Sequence, residues 1–159
     1  MLGRLYTAII DAVAISAIQD IFEIVAPSDA IVVVTKIELG QSSDAGDAEE
    51  ELLRLRWITG FTTSGSGGAS VTPEPAAGDT AFGGTVERNN TTVASTGTPA
   101  NRYIFAPWNV RTPFLFIPTE EELDMFVLSP SARGVLNLPA APEDAITVSG
   151  TISFREIGG

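Results

Sequence analysis

The sequence predicts an all-β fold, an antiparallel β-sandwich of jelly-roll type carrying a long polar loop excursion. Three observations predict it. Apolar residues alternate with polar ones in run after run, which is the period of a half-buried strand. Turn-forming clusters interrupt the runs at Ala26-Pro27-Ser28-Asp29, Ser129-Pro130-Ser131-Ala132 and Pro139 through Asp144. About nine strand candidates result, too many and too short for any helical architecture.

Along the chain, Arg4 to Ile10 and Ile21 to Val25 read as strands. The residues between them also fit a helical stripe, through Ile10, Val13, Ala14, Ala17, Ile18, Ile21 and Phe22. Crowded Ile and Val and the lack of an opening N-cap favour strands, with a helical turn expected around Ser16 to Asp20. Ile31, Val33, Thr35, Ile37 and Leu39 alternate with Val32, Val34, Lys36 and Glu38. The second set turns polar only in its last half, so the first half is expected to be buried on both faces. Leu53, Leu55, Trp57 and Phe61 form one face and Arg54, Arg56 and Gly60 the other. Arg102 to Ala106, Phe114 to Ile117, Leu123 to Leu128 and Gly134 to Leu138 are shorter candidates.

The last run is the clearest. Ile146, Val148, Ile152 and Phe154 face one way, Thr147, Ser149, Thr151, Ser153 and Arg155 the other, and Gly150 marks a bulge or a close backbone approach. This strand is expected to pair with Arg4 to Ile10. Residues 62 to 101 differ: Thr, Ser, Gly, Asn and Pro dominate, and the excursion is read as a functional loop or as an insertion with one or two strands of its own. In a monomer it is expected to be a mobile flap, in an assembly an arm that reaches neighbours.

The 159 residues are enough for one domain, and 44% are apolar, enough for a core. There is no Cys and no His, so thiolate chemistry, Cys-ligated metal and imidazole acid–base catalysis are excluded. A net charge of −11 argues against nucleic acid and against an anionic membrane surface as partners. The apolar stretch behind Arg4 loosely resembles a leader, but Asp11 interrupts it, and no run is long enough for a membrane helix. The expectation is a soluble chain made in a cytoplasm, with no enzyme activity and no cofactor.

Several motifs have a functional reading beside a plain one. Asp44, Asp47 and Glu49 lie in an acidic loop around Gly46 and are weak candidates for Ca²⁺ ligands; the plain reading, which is favoured, is a solvated turn. Thr119-Glu120-Glu121-Glu122 before Leu123 resembles a capping box, or a polar turn; nothing pairs two of its acids as a glycosidase requires. Ser64-Gly65-Ser66-Gly67-Gly68 lacks the Lys of a phosphate loop and reads as a flexible linker. Asn89-Asn90-Thr91-Thr92 holds two overlapping glycosylation triplets but reads more plainly as a turn. Among the aromatics, Trp108 sits in a turn-like setting, Ala106-Pro107-Trp108-Asn109-Val110, and is the first candidate for an exposed interface anchor, with Tyr103 beside it. Arg54, Arg56 and Arg111, with Arg102, are the cations expected to meet an acidic partner.

Stretches spread over nearly the whole chain resemble a group of small virion structural proteins of tailed bacteriophages and prophages. They are Arg4-Leu5-Tyr6-Thr7-Ala8, Gln19-Asp20-Ile21-Phe22-Glu23-Ile24, Ala26-Pro27-Ser28-Asp29-Ala30 and Gln41 to Glu49. Further on come Ser66-Gly67-Gly68 with Val71-Thr72-Pro73, Ala81 to Val86 with Asn89 to Thr92, and Ser149 to Phe154 with Glu156 to Gly159. The resemblance implies a virion structural protein and no catalytic residues. It leads to the expectation of a decoration or cement protein on the capsid exterior, bound to the major capsid protein and to copies of itself, with a trimer as one candidate oligomer. The alternative is a host-recognition or glycan-binding module of a spike, neck or tail.

Overall fold

The computed structural model describes residues 3–43, 51–78 and 80–158. It is all-β. The strands are β1 (Arg4–Ile15), β2 (Gln19–Val25), β3 (Ala30–Gln41), β4 (Leu52–Leu53), β5 (Arg56–Thr59), β6 (Ala69–Val71) and β7 (Glu74–Pro75). They continue with β8 (Thr85–Asn90), β9 (Ala100–Ile104), β10 (Trp108–Asn109), β11 (Phe114–Phe116), β12 (Val127–Leu128), β13 (Arg133–Leu138) and β14 (Ile146–Gly158).

The pairings nest from the two ends of the chain inward. β1 pairs with β14, β2 with β13, β3 with β11 and β12, and β5 with β9, all antiparallel. The chain is thus one long hairpin rolled up across two sheets, the topology of a jelly roll. The first sheet runs β11-β3-β14-β1-β7, with β12 also on β3, and the second β6-β8-β2-β13-β5-β9. The expected pairing of the two terminal strands is present, with Tyr6 opposite Phe154 and Ala8 opposite Ile152.

The core lies between the sheets. The inward set expected for β14, Ile146, Val148, Ile152 and Phe154, is buried there. At Gly150 a β-carbon would come 2.1 Å from the Glu38 carbonyl oxygen, so the glycine answers a close backbone approach by β3. Two faces shift part-way. β3 carries a bulge where Ser153 pairs with Lys36 but Phe154 with Val34, which leaves Thr35 as the extra residue. The core face of β3 is therefore Val32, Val34, Ile37 and Leu39, not one unbroken alternation from Ile31 to Leu39. Val32, Val33 and Val34 are all buried, as expected for its first half. A second bulge in β1, between Ile10 and Val13, puts Ala12 at a φ of 49° and ties its amide to Ser149 Oγ at 2.8 Å.

No helical turn forms between β1 and β2; Gln19 already begins the strand. The expected strand from Leu123 to Leu128 is a 3-10 turn over Leu123–Phe126 followed by the short β12. The capping-box residues explain the difference. Glu122 Oε2 accepts the Thr119 amide at 2.9 Å, and the Leu123 amide donates back to the Thr119 carbonyl at 3.1 Å, which closes a turn before the strand starts.

The excursion at 62 to 101 is not a free flap but an insertion with strands of its own, β6, β7 and β8. It prolongs the β5–β9 hairpin through bridges at Thr63–Ser95 and Ser66–Thr92 into the β6–β8 ladder. β8 then pairs with β2, and β7 with β1. The Gly-rich run is not a flexible linker: a β-carbon on Gly68 would sit 2.1 Å from the Arg88 carbonyl oxygen. Its hydrogen bonds reach the outer side of β2. Glu23 accepts from Ser64 Oγ at 2.6 Å, from the Gly65 amide at 2.9 Å and from Asn90 Nδ2 at 3.2 Å, and it pairs with Arg133 Nε at 2.6 Å. Asp20 accepts from the Ala94 amide and from Asn137 Nδ2, each at 2.7 Å. Almost every residue of β2 is therefore buried, polar ones included, because each face has a cover.

Candidate functional site

Three prolines, Pro107, Pro113 and Pro118, break residues 102 to 118 into short pieces. Within each piece the side chains alternate. In β9 and just beyond it, Tyr103 and Phe105 turn inward and Ile104 outward; in β11, Phe114 and Phe116 pack against the core and Leu115 points out. The inward rings form one cluster with Phe126. Tyr103 and Phe116 lie 4.9 Å apart, Phe105 and Phe116 meet edge-on at 4.8 Å, and Phe126 stacks on Trp57 at 5.8 Å.

Between the inward rings lies an open cleft of about 390 Å³, lined by Tyr103, Phe105, Trp108, Phe114 and Phe116 among others. Both strands beside it are last in their sheets among the described residues, β9 pairing with β5 and β11 with β3, as β6 and β7 are last at the opposite ends. Ile104, Leu115 and Ile117 are 66%, 60% and 61% exposed on this side, and Met125 of the 3-10 turn is exposed as well. They make up four of the seven exposed large apolar residues among those described, with Ile104 on the outer face of the second sheet and Leu115 on that of the first.

Tyr103 is fixed by its hydroxyl, which donates to Glu122 Oε1 at 2.8 Å. That bond holds the phenol above its ordinary pKa. The Thr119 amide, and then the Tyr103 hydroxyl, hold Glu122 below the ordinary carboxyl range. The pair is a clamp on the cleft's lip: both groups keep their ordinary neutral-pH forms.

The anchor expected at Trp108 is a correction. Trp108 is only 5% exposed, pairs with Leu53 across β10 and β4, and donates Nε1 to the Thr112 carbonyl at 2.7 Å. The turn that looked open in sequence folds back on the indole and satisfies its polar atom internally. Tyr103 is half-buried in the cleft wall. Arg111 is exposed on the same turn as Trp108. Arg54 is exposed and Arg56 partly so, and both line a smaller hollow of about 90 Å³ with Leu55, Asn101, Ile104 and Pro139. Asp44, Asp47 and Glu49 lie outside the described residues, and among the described residues no group of three or more acids is placed to hold a metal ion.

Sequence reasoning missed Ile104, Leu115 and Ile117. The signal was present: each follows an aromatic residue directly in the chain, Tyr103, Phe114 or Phe116, and so alternates with a ring that faces inward. It also missed the carboxylates Asp20 and Glu23, whose position inside an otherwise buried strand was the available sign.

Among the described residues no helix is long and apolar enough to cross a membrane. Geometry and topology together define a jelly-roll sandwich whose β9 and β11 side, here called the bare side, carries exposed apolar residues. Set against family models, curated proteins and solved structures, the chain matches none.

Proposed function

We propose that the chain is a bacteriophage virion structural protein that decorates the outer head lattice and stabilises it, without catalytic activity. It binds the major capsid protein and copies of itself, as a small cyclic oligomer. The observation that carries this reading is the bare side: two end strands, β9 and β11, with one neighbour each among the described residues, bordered by exposed Ile104, Leu115 and Ile117, where the end strands β6 and β7 opposite carry no exposed large apolar residue among those described. Such edges invite aggregation unless another chain covers them, and a decoration protein is covered by the lattice it binds. The resemblance of the sequence to tailed-phage virion proteins supports the same reading. The net charge of −11 favours the outer surface over a DNA-facing one.

Imaging of particles tests it. Density for this jelly roll at head-lattice positions, on the order of hundreds of copies per particle, is the expected result. Heads without it overturn the proposal. The aromatic cleft of about 390 Å³ favours a second reading, a glycan-binding module on a spike, neck or tail. A handful of copies away from the head, with binding on a glycan array, would establish that one instead.

A further inference from the structure

We propose that the free edge of β9 accepts an acidic, extended polypeptide segment of a partner protein as an added strand, with Arg54 and Arg56 facing its carboxylates and Ile104 covered by one of its apolar side chains. Only the identity of the partner rests on the virion reading; the chemistry stands on the edge itself.

The geometry begins with the register. Arg56 lies opposite Ile104, so both side chains stand on one face of the second sheet. That face points away from the core, because the neighbouring Trp57 and Tyr103 pack inward. Arg54 follows the same alternation, with Leu53 and Leu55 buried on either side of it. Arg54, Arg56, Ile104, Asn101 and Pro139 then surround a hollow of about 90 Å³, room for one small aliphatic side chain. Beyond Ile104 the sheet ends, and alternate N–H and C=O groups of β9 face outward, the template that strand addition uses.

Charge selects what is added. The chain has nine cations against twenty acids, and among the described residues the ion pairs take up Arg4, Lys36 and Arg133. Arg56 gives Nε to the neutral Asn137 Oδ1 at 2.8 Å and its charge also acts on Asp20 behind it, whose oxygens accept from Ala94 and Asn137. Two guanidiniums beside an apolar hollow, on a molecule otherwise strongly negative, form a local complement to a strand that carries acidic and aliphatic residues in turn at every second position, so that both stand on the face of Arg54, Arg56 and Ile104. Bulk repulsion discourages a second copy of this chain from approaching the same edge indiscriminately, so specificity comes from the short contact.

The test uses the full chain and a fluorescein-labelled Glu–Val peptide of repeat Glu-Thr-Val-Thr, which sets Glu and Val on the same face of an added strand, read by anisotropy. Its controls are a Lys–Val peptide, the Glu–Val peptide N-methylated at alternate residues, and a single-stranded oligothymidylate. Saturable binding of the Glu–Val peptide is expected, weakened about tenfold or more by Arg54→Glu and by Ile104→Asp, and weakened as salt is raised. The N-methylated peptide should lose binding because it cannot complete the ladder. Melting curves confirm that each variant is folded, and Arg54→Gln replaces Arg54→Glu if the latter melts early. Equal binding to the Arg54 variants, retained binding of the N-methylated peptide, or preference for the oligothymidylate overturns the inference, as does the absence of saturable binding. The virion role fails separately: Arg54→Glu chains that still occupy heads at wild-type level overturn the added strand alone, whereas heads that lack the chain overturn the role and leave peptide binding untouched.

Discussion

The two sides of this sandwich treat their strand edges in opposite ways. On one side the chain covers itself. β7 lies along β1, β8 and β6 extend the sheet beyond β2, and Arg4 pairs with the buried Glu156 at 2.5 Å, while Glu156 also accepts the Gly83 amide at 3.1 Å. Phe82 rides on this latch and closes over Tyr6 and Phe154, at 5.4 and 4.9 Å. On the other side β9 and β11 end their sheets, and their out-facing residues include the exposed Ile104 and Leu115. One insertion of about forty residues lies along β1 and β2 and over one sheet face, and ends the sheets on its own side in the short β7 and β6, which carry no exposed large apolar residue among those described. An exposed edge is a hazard that folded proteins manage. What sets the β9 and β11 side apart is thus the apolar character of its edges and not the presence of edges.

The contrast can be broken most severely on the covered side. Replacing Phe154 by Ala removes a fully buried ring that stacks on Tyr6 at 5.9 Å and meets Phe82 edge-on. A loss of about 3–5 kcal/mol is expected in urea unfolding. A change below about 0.5 kcal/mol would mean that this side is not packed as described.

Next comes the cover over the second sheet. Glu23→Ala leaves Arg133, which is 14% exposed, without its carboxylate and removes the acceptor for Ser64 and the Gly65 amide. About 3 kcal/mol of destabilisation is expected, the low end for a broken buried pair because Arg133 keeps some water. Hydrogen exchange should rise in residues 62 to 68 ahead of the core strands. Uniform protection across both would show that the excursion is held by something other than Glu23.

Asp20 gives the same region a pH signature. Burial lifts its carboxyl from 3.8 to about 6, with the Glu23 charge adding to the rise and the Ala94 and Asn137 hydrogen bonds opposing it. A group raised in the folded state holds its proton more tightly than in the unfolded chain. Its contribution is therefore fully present below pH 4 and is lost as the pH climbs through about 6, a swing of about 2–3 kcal/mol. Urea midpoints measured across that window should fall in the wild-type chain relative to Asp20→Asn, in which the titration is gone. Parallel curves for the two proteins would remove Asp20 as a source of pH dependence.

How much of this was legible in the sequence follows from what each region is made of. β14 was readable because an unbroken two-residue period sorts Ile146, Val148, Ile152 and Phe154 from their polar neighbours. β3 was readable as a strand but not in its facing, because the bulge at Thr35 switches faces without any change in residue type. The covered side was the least legible. A segment of Gly, Ser, Thr and Asn looks mobile by composition, and its order comes from acceptors on a distant strand, Glu23 and Asp20, that nothing within the segment itself announces. Trp108 misled for the opposite reason: a Pro-flanked turn suggests exposure, and only the contact with Thr112 shows that the indole is turned in. The bare side was half legible, since its cations were visible but its apolar residues looked like core.

The bare side itself is sharpened by changes that should scarcely alter stability. Leu115 and Ile117 have most of their surface in water already, so Lys at either position gives up little buried area. A stability change within about 0.5 kcal/mol is expected, in contrast to the losses on the covered side. If this face is covered in an assembly, each Lys must then lose its hydration at the contact. Self-association, followed by sedimentation across a concentration series, should weaken for both variants, and so should occupancy on particles. Stability loss comparable to that of Phe154→Ala would place Leu115 and Ile117 in the core, and the distinction between the two sides would disappear. Unchanged stability with unchanged assembly would leave these edges bare for a reason other than contact, and would turn attention to the cleft between them.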